Sequence, residues 1–168
     1  MLTFVKFFIA LFTAGMLTAA TPLVILESAP AHARASGTFH TLEGAWRGAG
    51  KIMLTDGKSQ RIRCRAYYRV DASGSELGFA IRCAATDNRI ELRAKLSDSG
   101  GLLSGSWEER TFNATGQISG RAQPGKMDFS INGAVQGSMK ISYSQRQQHV
   151  DISTAAEGLR GISIKLRR

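Results

Sequence analysis

From Leu42 onward, apolar and polar residues alternate with a period of two, the mark of strands with one buried face. Between Arg61 and Val70, Ile62, Cys64, Ala66, Tyr68 and Val70 share one face, and Arg61, Arg63, Arg65, Tyr67 and Arg69 share the other. The beat returns at Leu77, Phe79, Ile81 and Cys83, then at Ile90, Leu92, Ala94 and Leu96. It continues at Met127, Phe129 and Ile131, at Val135, Gly137, Met139, Ile141 and Tyr143, at Val150 and Ile152, and at Ile162, Ile164 and Leu166. Turn-forming clusters separate these runs: Thr55-Asp56-Gly57-Lys58, residues 71–75, residues 97–101 and Gln123-Pro124-Gly125-Lys126. Residues 154–161 could hold one helical turn, but nothing there sustains a 3.6 period. Eight to ten short strands without a βαβ rhythm predict an all-β fold, a single antiparallel up-and-down meander closed into a sandwich or barrel.

Ahead of the meander, residues 1–33 read as a cleaved signal peptide. Lys6 supplies the positive start, Phe7-Phe8-Ile9-Ala10-Leu11-Phe12 opens an apolar stretch, and Ala31-His32-Ala33 fits the small-residue motif of signal peptidase. A cut after Ala20 is a second option. An uncleaved anchor needs about 20 apolar residues, and Thr13, Gly15, Thr18 and Pro22 interrupt this stretch. No cysteine lies near either cut site, which argues against a lipid-modified N-terminus. The expected organisation is a signal over 1–33, a short linker over 34–41 and one β domain over 42–168, in a periplasmic or secreted protein. The chain carries 22 Lys+Arg against 13 Asp+Glu, a formal net charge of +9. Lys6 and Glu27 cancel within the signal, so the mature domain keeps that whole excess.

The chain has two cysteines. Pairing Val70 with Leu77 across the 71–75 turn sets Cys64 directly opposite Cys83 on the same face, although other registers of the same parity stay open. In an exported protein this predicts one intramolecular disulfide. Closing a loop of about 20 residues stabilises by roughly 3 kcal/mol. There is no C-x-x-C, so the bridge reads as structural.

Leu42-Glu43-Gly44-Ala45-Trp46 opens the first strand, and Leu103-Ser104-Gly105-Ser106-Trp107 opens a central one. Shorter echoes follow at Ile118-Ser119-Gly120, Ile131-Asn132-Gly133 and Val135-Gln136-Gly137. This apolar-x-Gly-x-aromatic beat along an exported meander resembles the calycins, the lipocalin and avidin-like barrels. The resemblance implies a calycin-like barrel closed at one end by Gly44 and Trp46 beneath a basic residue of the last strand, a part that Lys165 or Arg167 can take. The lumen of such a barrel would be faced by Tyr68, Phe79, Gly105, Trp107, Met139 and Tyr143. The repeated glycines have two readings, sharp bends needed for closure or an empty interior.

The catalytic inventory is thin. Past the signal only His40 and His149 remain, neither at metal-ligand spacing, and His149 is expected on a solvated strand end. No H-E-x-x-H, G-x-S-x-G or G-x-x-x-x-G-K occurs. Glu108 and Glu109 are neighbours on a strand, so they face opposite sides and cannot work as an acid–base pair. The expectation is a protein that is not an enzyme and uses no metal or other cofactor. Asn113-Ala114-Thr115 fits a glycosylation sequon.

The sharpest chemical feature is an arginine face. Arg61, Arg63, Arg65 and Arg69 share one side of one strand, and Arg82 falls opposite Arg65 in the register above. Arg89, Arg93 and Lys95 extend the patch on the next strand, relieved by Glu91. Like charges directly opposite destabilise a sheet, and guanidinium forks suit phosphate and carboxylate groups. The patch points to an anionic lipid or envelope polymer. Nucleic acid fits poorly with export and with Tyr67 as the one interleaved aromatic. An outer-membrane barrel would turn the apolar face to lipid, but it needs aromatic girdles that the sequence lacks.

Two functional readings follow. One is an exported, non-catalytic binding protein, holding a small apolar molecule in the barrel or an anionic envelope component on the arginine face. The other is a solid-barrel envelope interaction protein, or an inhibitor of a secreted enzyme. A lumen that is open past Gly105, Gly120 and Gly137 separates the first from the second.

Overall fold

The structure, a computed structural model, describes Gly37, residues 39–86 and residues 89–168. The expected signal and both cut sites lie outside the described residues. Ten strands follow one another: β1 (Gly44–Leu54), β2 (Ser59–Val70), β3 (Glu76–Ala84), β4 (Arg89–Ser99), β5 (Leu102–Glu109), β6 (Ala114–Gln123), β7 (Lys126–Gly133), β8 (Gly137–Tyr143), β9 (Gln147–Thr154) and β10 (Leu159–Arg167). Each pairs antiparallel with the next, and β10 returns to β1 to close a barrel. The meander is therefore present as the alternation predicts. Closure is completed by the ladder from Arg47↔Arg167 to Leu54↔Leu159.

Residues 154–161 form no helical turn. Strand β9 runs to Thr154, whose Oγ1 donates to the Leu159 carbonyl at 2.8 Å and accepts from the Ala156 N–H at 3.2 Å. The hydroxyl thus folds the tight connection into β10.

Alternation decides which face turns inward. Ile62, Cys64, Ala66 and Tyr68 of β2 are buried, while Arg61, Arg63, Arg65 and Arg69 are exposed. This is opposite to the arrangement of a lipid-facing barrel, which exposes its apolar set. The β2–β3 ladder pairs Val70 with Leu77 and Cys64 with Cys83, and the two cysteines form a disulfide on the inner face. An inter-strand bridge at a directly opposed pair locks that register, since a slip of one residue would put the two side chains on opposite faces.

One end of the barrel is capped by the chain that precedes β1. Phe39 and Leu42 are both fully buried, so the last residues of the expected 34–41 linker belong to the barrel. A single 3₁₀ turn, His40–Leu42, brings them in, with the Leu42 N–H donating to the Phe39 carbonyl at 2.8 Å. Trp46 lies above this turn, 1% exposed, and its Nε1 donates to the Leu42 carbonyl at 2.7 Å. The β2–β3 turn also touches the cap, because the Gly74 carbonyl accepts from the Phe39 N–H at 3.4 Å.

The cation over Trp46 is Arg168, not Arg167. Its Cζ stands 4.6 Å from the ring centroid, and its Nη2 donates to the Thr41 and Glu43 carbonyls, each at 2.7 Å. The physical reason is parity. Lys165 and Arg167 share the outward face of β10, whereas Arg168 follows the strand and is free of its period, so it can fold back across the cap.

Candidate binding site

The lumen changes character along its length. Toward the capped end, side chains fill it. A methyl group built on Gly105 would meet Leu96 Cδ2 at 2.9 Å, and one on Gly120 would meet Phe129 Cδ1 at 2.9 Å. At Gly105 and Gly120 a carbonyl oxygen of the neighbouring strand (of Lys95 and Asp128) stands closer still, and at Gly137, which opens β8 at the other end between Ile131 and Thr154, the Ser153 carbonyl does the same. All three permit sharp coiling of adjacent strands, the bend reading, and Gly105 and Gly120 do not open the interior where they sit.

A buried polar pair lies at the same end. Tyr68 OH donates to Gln148 Oε1 at 2.9 Å, and the Tyr68 ring packs on Phe79 at a centroid separation of 5.7 Å. Burial pushes the Tyr68 phenol above its ordinary range, outweighing the hydrogen bond to Gln148. Gln148 Nε2 has no hydrogen-bond partner among the described residues. Above Tyr68 only a small void of about 40 Å³ remains, bounded by Phe79, Met139 and Val150.

Toward the other end the barrel opens. A cavity of about 550 Å³ is walled by Phe79, Leu92, Trp107, Met139, Ile152 and Ile162. Its rim comes from the connections at that end, through Phe112, Val135 and residues 156–158. The indole of Trp107 is satisfied by the Asn132 carbonyl at 3.3 Å. Polar groups are confined to Gln60, Glu109, Thr154 and Glu157. Glu109 is already engaged in the fold, since its Oε1 accepts from the Glu91 N–H at 2.8 Å and its Oε2 from the Phe112 N–H at 2.7 Å. Those bonds hold the β5–β6 connection and leave Phe112 67% exposed beside the mouth. Glu108 faces the opposite way, outward, across from Arg93.

Of the residues expected in the lumen, Phe79, Trp107 and Met139 line the cavity, and Tyr68 lines the small void. Gly105 lies in the filled half. Tyr143 sits at the end of β8, half-buried, with its phenol raised first by burial and then by the charge of Asp98. Ile52, Leu92, Ile152 and Ile162 also wall the cavity, and nothing in the sequence sets them apart from other inward residues. Their inward parity is visible there; which end of each strand stays open is not.

On the outer wall, β10, β1, β2 and β3 bring cations into cross-strand rows. Arg167, Arg47, Arg65 and Arg82 form one row. In the next, Lys165, Arg63 and Arg89 alternate with Ala49 and Ala84. Lys51 and Arg61 form a third. Arg93 stands apart on β4, where its Nη2 lies 2.8 Å from Glu91 Oε1. Glu91 also reaches Arg82 at 3.4 Å and Arg110 at 3.8 Å. The hydrogen bond from Arg93, with Arg82 beside it, holds the Glu91 carboxyl below its ordinary range. Among the described residues no carboxylate pairs with Arg61, Arg63, Arg65 or Arg69. Arg47 and Lys51 join this wall through the β1–β2 hairpin, and Lys165 and Arg167 only because β1 pairs with β10, a contact between the two ends of the meander.

His149 lies on β9, with Nε2 2.8 Å from Asp151 Oδ2. It is thus engaged by a neighbour two residues on, on the same face of the strand.

No protein-family model and no curated protein matches the chain. Solved structures do match. The chain is similar to Rv2717c from M. tuberculosis, with a TM-score of 0.63 at 12% identity, over 77% of this chain and 94% of that one. It is also similar to the S-type phycobiliprotein lyase CPES from Guillardia theta, with a TM-score of 0.54 at 10% identity, over 77% of this chain and 90% of that one. At such identities the likeness concerns the barrel fold alone.

Proposed function

We propose that this protein is an exported, non-catalytic binding protein that holds a small apolar molecule in the open half of its barrel. The observation that carries the reading is the cavity of about 550 Å³ with aliphatic and aromatic walls and polar groups only at its rim. Ligand sites are typically concave, mostly apolar and of about 300–1,000 Å³. The filled half beneath it supplies a rigid floor, so the site is preformed. The polar rim suits a ligand with one hydrophilic end facing the mouth.

The solid-barrel alternative draws support from the packing around Gly105 and Gly120, but the upper half of the lumen speaks for the binding reading. A neutral probe, N-phenyl-1-naphthylamine, separates the two. Under this reading it shows saturable fluorescence enhancement, and Ala114→Leu at the cavity wall weakens it about tenfold, equivalent to about 1.4 kcal/mol. Absence of saturable enhancement would return the protein to the solid-barrel class.

A further inference from the structure

The outer surface of the barrel has two walls with opposite charge habits. Across β6–β9, residues directly opposite one another alternate in sign: Arg121 faces Asp128, Asp128 faces Lys140, and Lys140 faces Asp151. Across β10–β3 the corresponding row is Arg167, Arg47, Arg65 and Arg82, all cationic until Glu91 on β4. Opposed like charges weaken a sheet, so the second wall carries a cost that the first avoids. An anionic partner removes that cost.

The surroundings of the cations say which kind of partner fits. Shallow hollows flank Arg63, and Ala49, Ala84 and Ala85 put apolar surface between the cations, beside the hydroxyls of Thr86, Ser163 and Thr111. Tyr67, 54% exposed, stands on the same face between Arg65 and Arg69. Thr111 borders the hollow beside Arg65 and Arg82. Cations with an exposed tyrosine among them and apolar gaps between them match a surface of charged headgroups over hydrocarbon.

We propose that the β10–β1–β2–β3 wall is a docking surface for an anionic lipid bilayer. The proposal stands apart from the lumen reading, since it uses only the outer face. Mature protein recovered from the periplasm without detergent should sediment with phosphatidylcholine vesicles containing phosphatidylglycerol and not with phosphatidylcholine alone. Added salt should release it, because surface charges are screened. Each basic side chain at such a surface contributes about fivefold to partitioning, so Arg63→Glu with Arg65→Glu should lower it by more than about 25-fold. The matched reversal Arg121→Glu with Lys140→Glu changes net charge equally but lies on the alternating wall, and should lower it far less. Should the first pair shift the urea midpoint, Arg61→Gln with Arg69→Gln carries the same test. Equal losses for both walls would overturn the proposal in favour of diffuse charge attraction. Tight binding to dextran sulfate without vesicle retention would overturn it in favour of a polymer. Ala114→Leu should leave vesicle binding unchanged, which separates this result from the fate of the lumen.

Discussion

At the capped end of the barrel, Phe39, Leu42, Trp46, Leu96 and Phe129 are all buried; at the other end, residues of the same inward parity stand around a cavity of about 550 Å³. Both halves obey one alternation of apolar and polar positions. What differs lies outside the regular strands. The 3₁₀ turn at His40–Leu42 delivers two extra apolar side chains to one end, and Arg168 locks them through Trp46. Among the described residues the open end receives only strand connections, and its Phe112 is exposed. Filling a barrel is therefore decided by its caps as much as by its walls.

Substitutions can break that contrast, and the largest effect should come from the cap. Trp46→Ala removes a fully buried indole and its hydrogen bond to Leu42, and should cost about 3–5 kcal/mol in urea unfolding. A loss under about 1 kcal/mol would mean that the cap contributes little. Next comes the disulfide between β2 and β3. Cys64→Ala with Cys83→Ala should lower stability by about 3 kcal/mol, from the restored freedom of the unfolded loop.

Matched small-to-large changes at the two ends should sharpen the comparison. Gly120→Ala places a methyl against the Asp128 carbonyl and Phe129 in the filled half. It should destabilise by about 1–3 kcal/mol, as overpacking does, whereas Ala114→Leu at the cavity should cost under about 1 kcal/mol. Equal costs would contradict the difference in filling.

The smallest effect concerns pH. In the β2–β3 turn that supports the cap, the Asp71 carboxylate accepts from Ser73 Oγ, from the Glu76 N–H at 2.8 Å and from the Ser73 N–H at 3.1 Å. These bonds, that of the Ser73 side chain foremost, lower its pKa from 3.8 to about 2. A carboxyl depressed on folding stabilises above its unfolded pKa and ceases to do so as pH falls through its folded one. Its contribution should thus be complete above pH 3.8 and vanish toward pH 2. Carboxyl NMR should place the Asp71 midpoint near 2, and a midpoint near 3.8 would remove the turn from the account.

Strand faces, turn positions and the disulfide were legible because each depends on neighbours close in sequence. Period-two burial reports the inward set directly, and the short β2–β3 turn fixes Cys64 against Cys83. The cap was misjudged for the converse reason. Nothing local marks Phe39 as a core residue, since its partners are Gly74 and the barrel floor. Arg168 escaped notice because it lies past the last residue governed by strand parity. The cationic wall was half visible: Arg61, Arg63 and Arg65 sit on one strand and Arg47 lies across its hairpin, but Lys165 and Arg167 join them only when β1 meets β10. The cavity depends on that same closure, and on the unequal filling of its two ends.

The central claim, that the open half of the lumen carries an apolar ligand, is tested most directly by a native mass spectrum of the mature protein recovered without detergent. The account predicts a polypeptide mass two hydrogens below that of the reduced chain, with an added mass that leaves on activation and is reduced in Ala114→Leu. A bare peak, unchanged after incubation with a cell-envelope lipid extract, would contradict it.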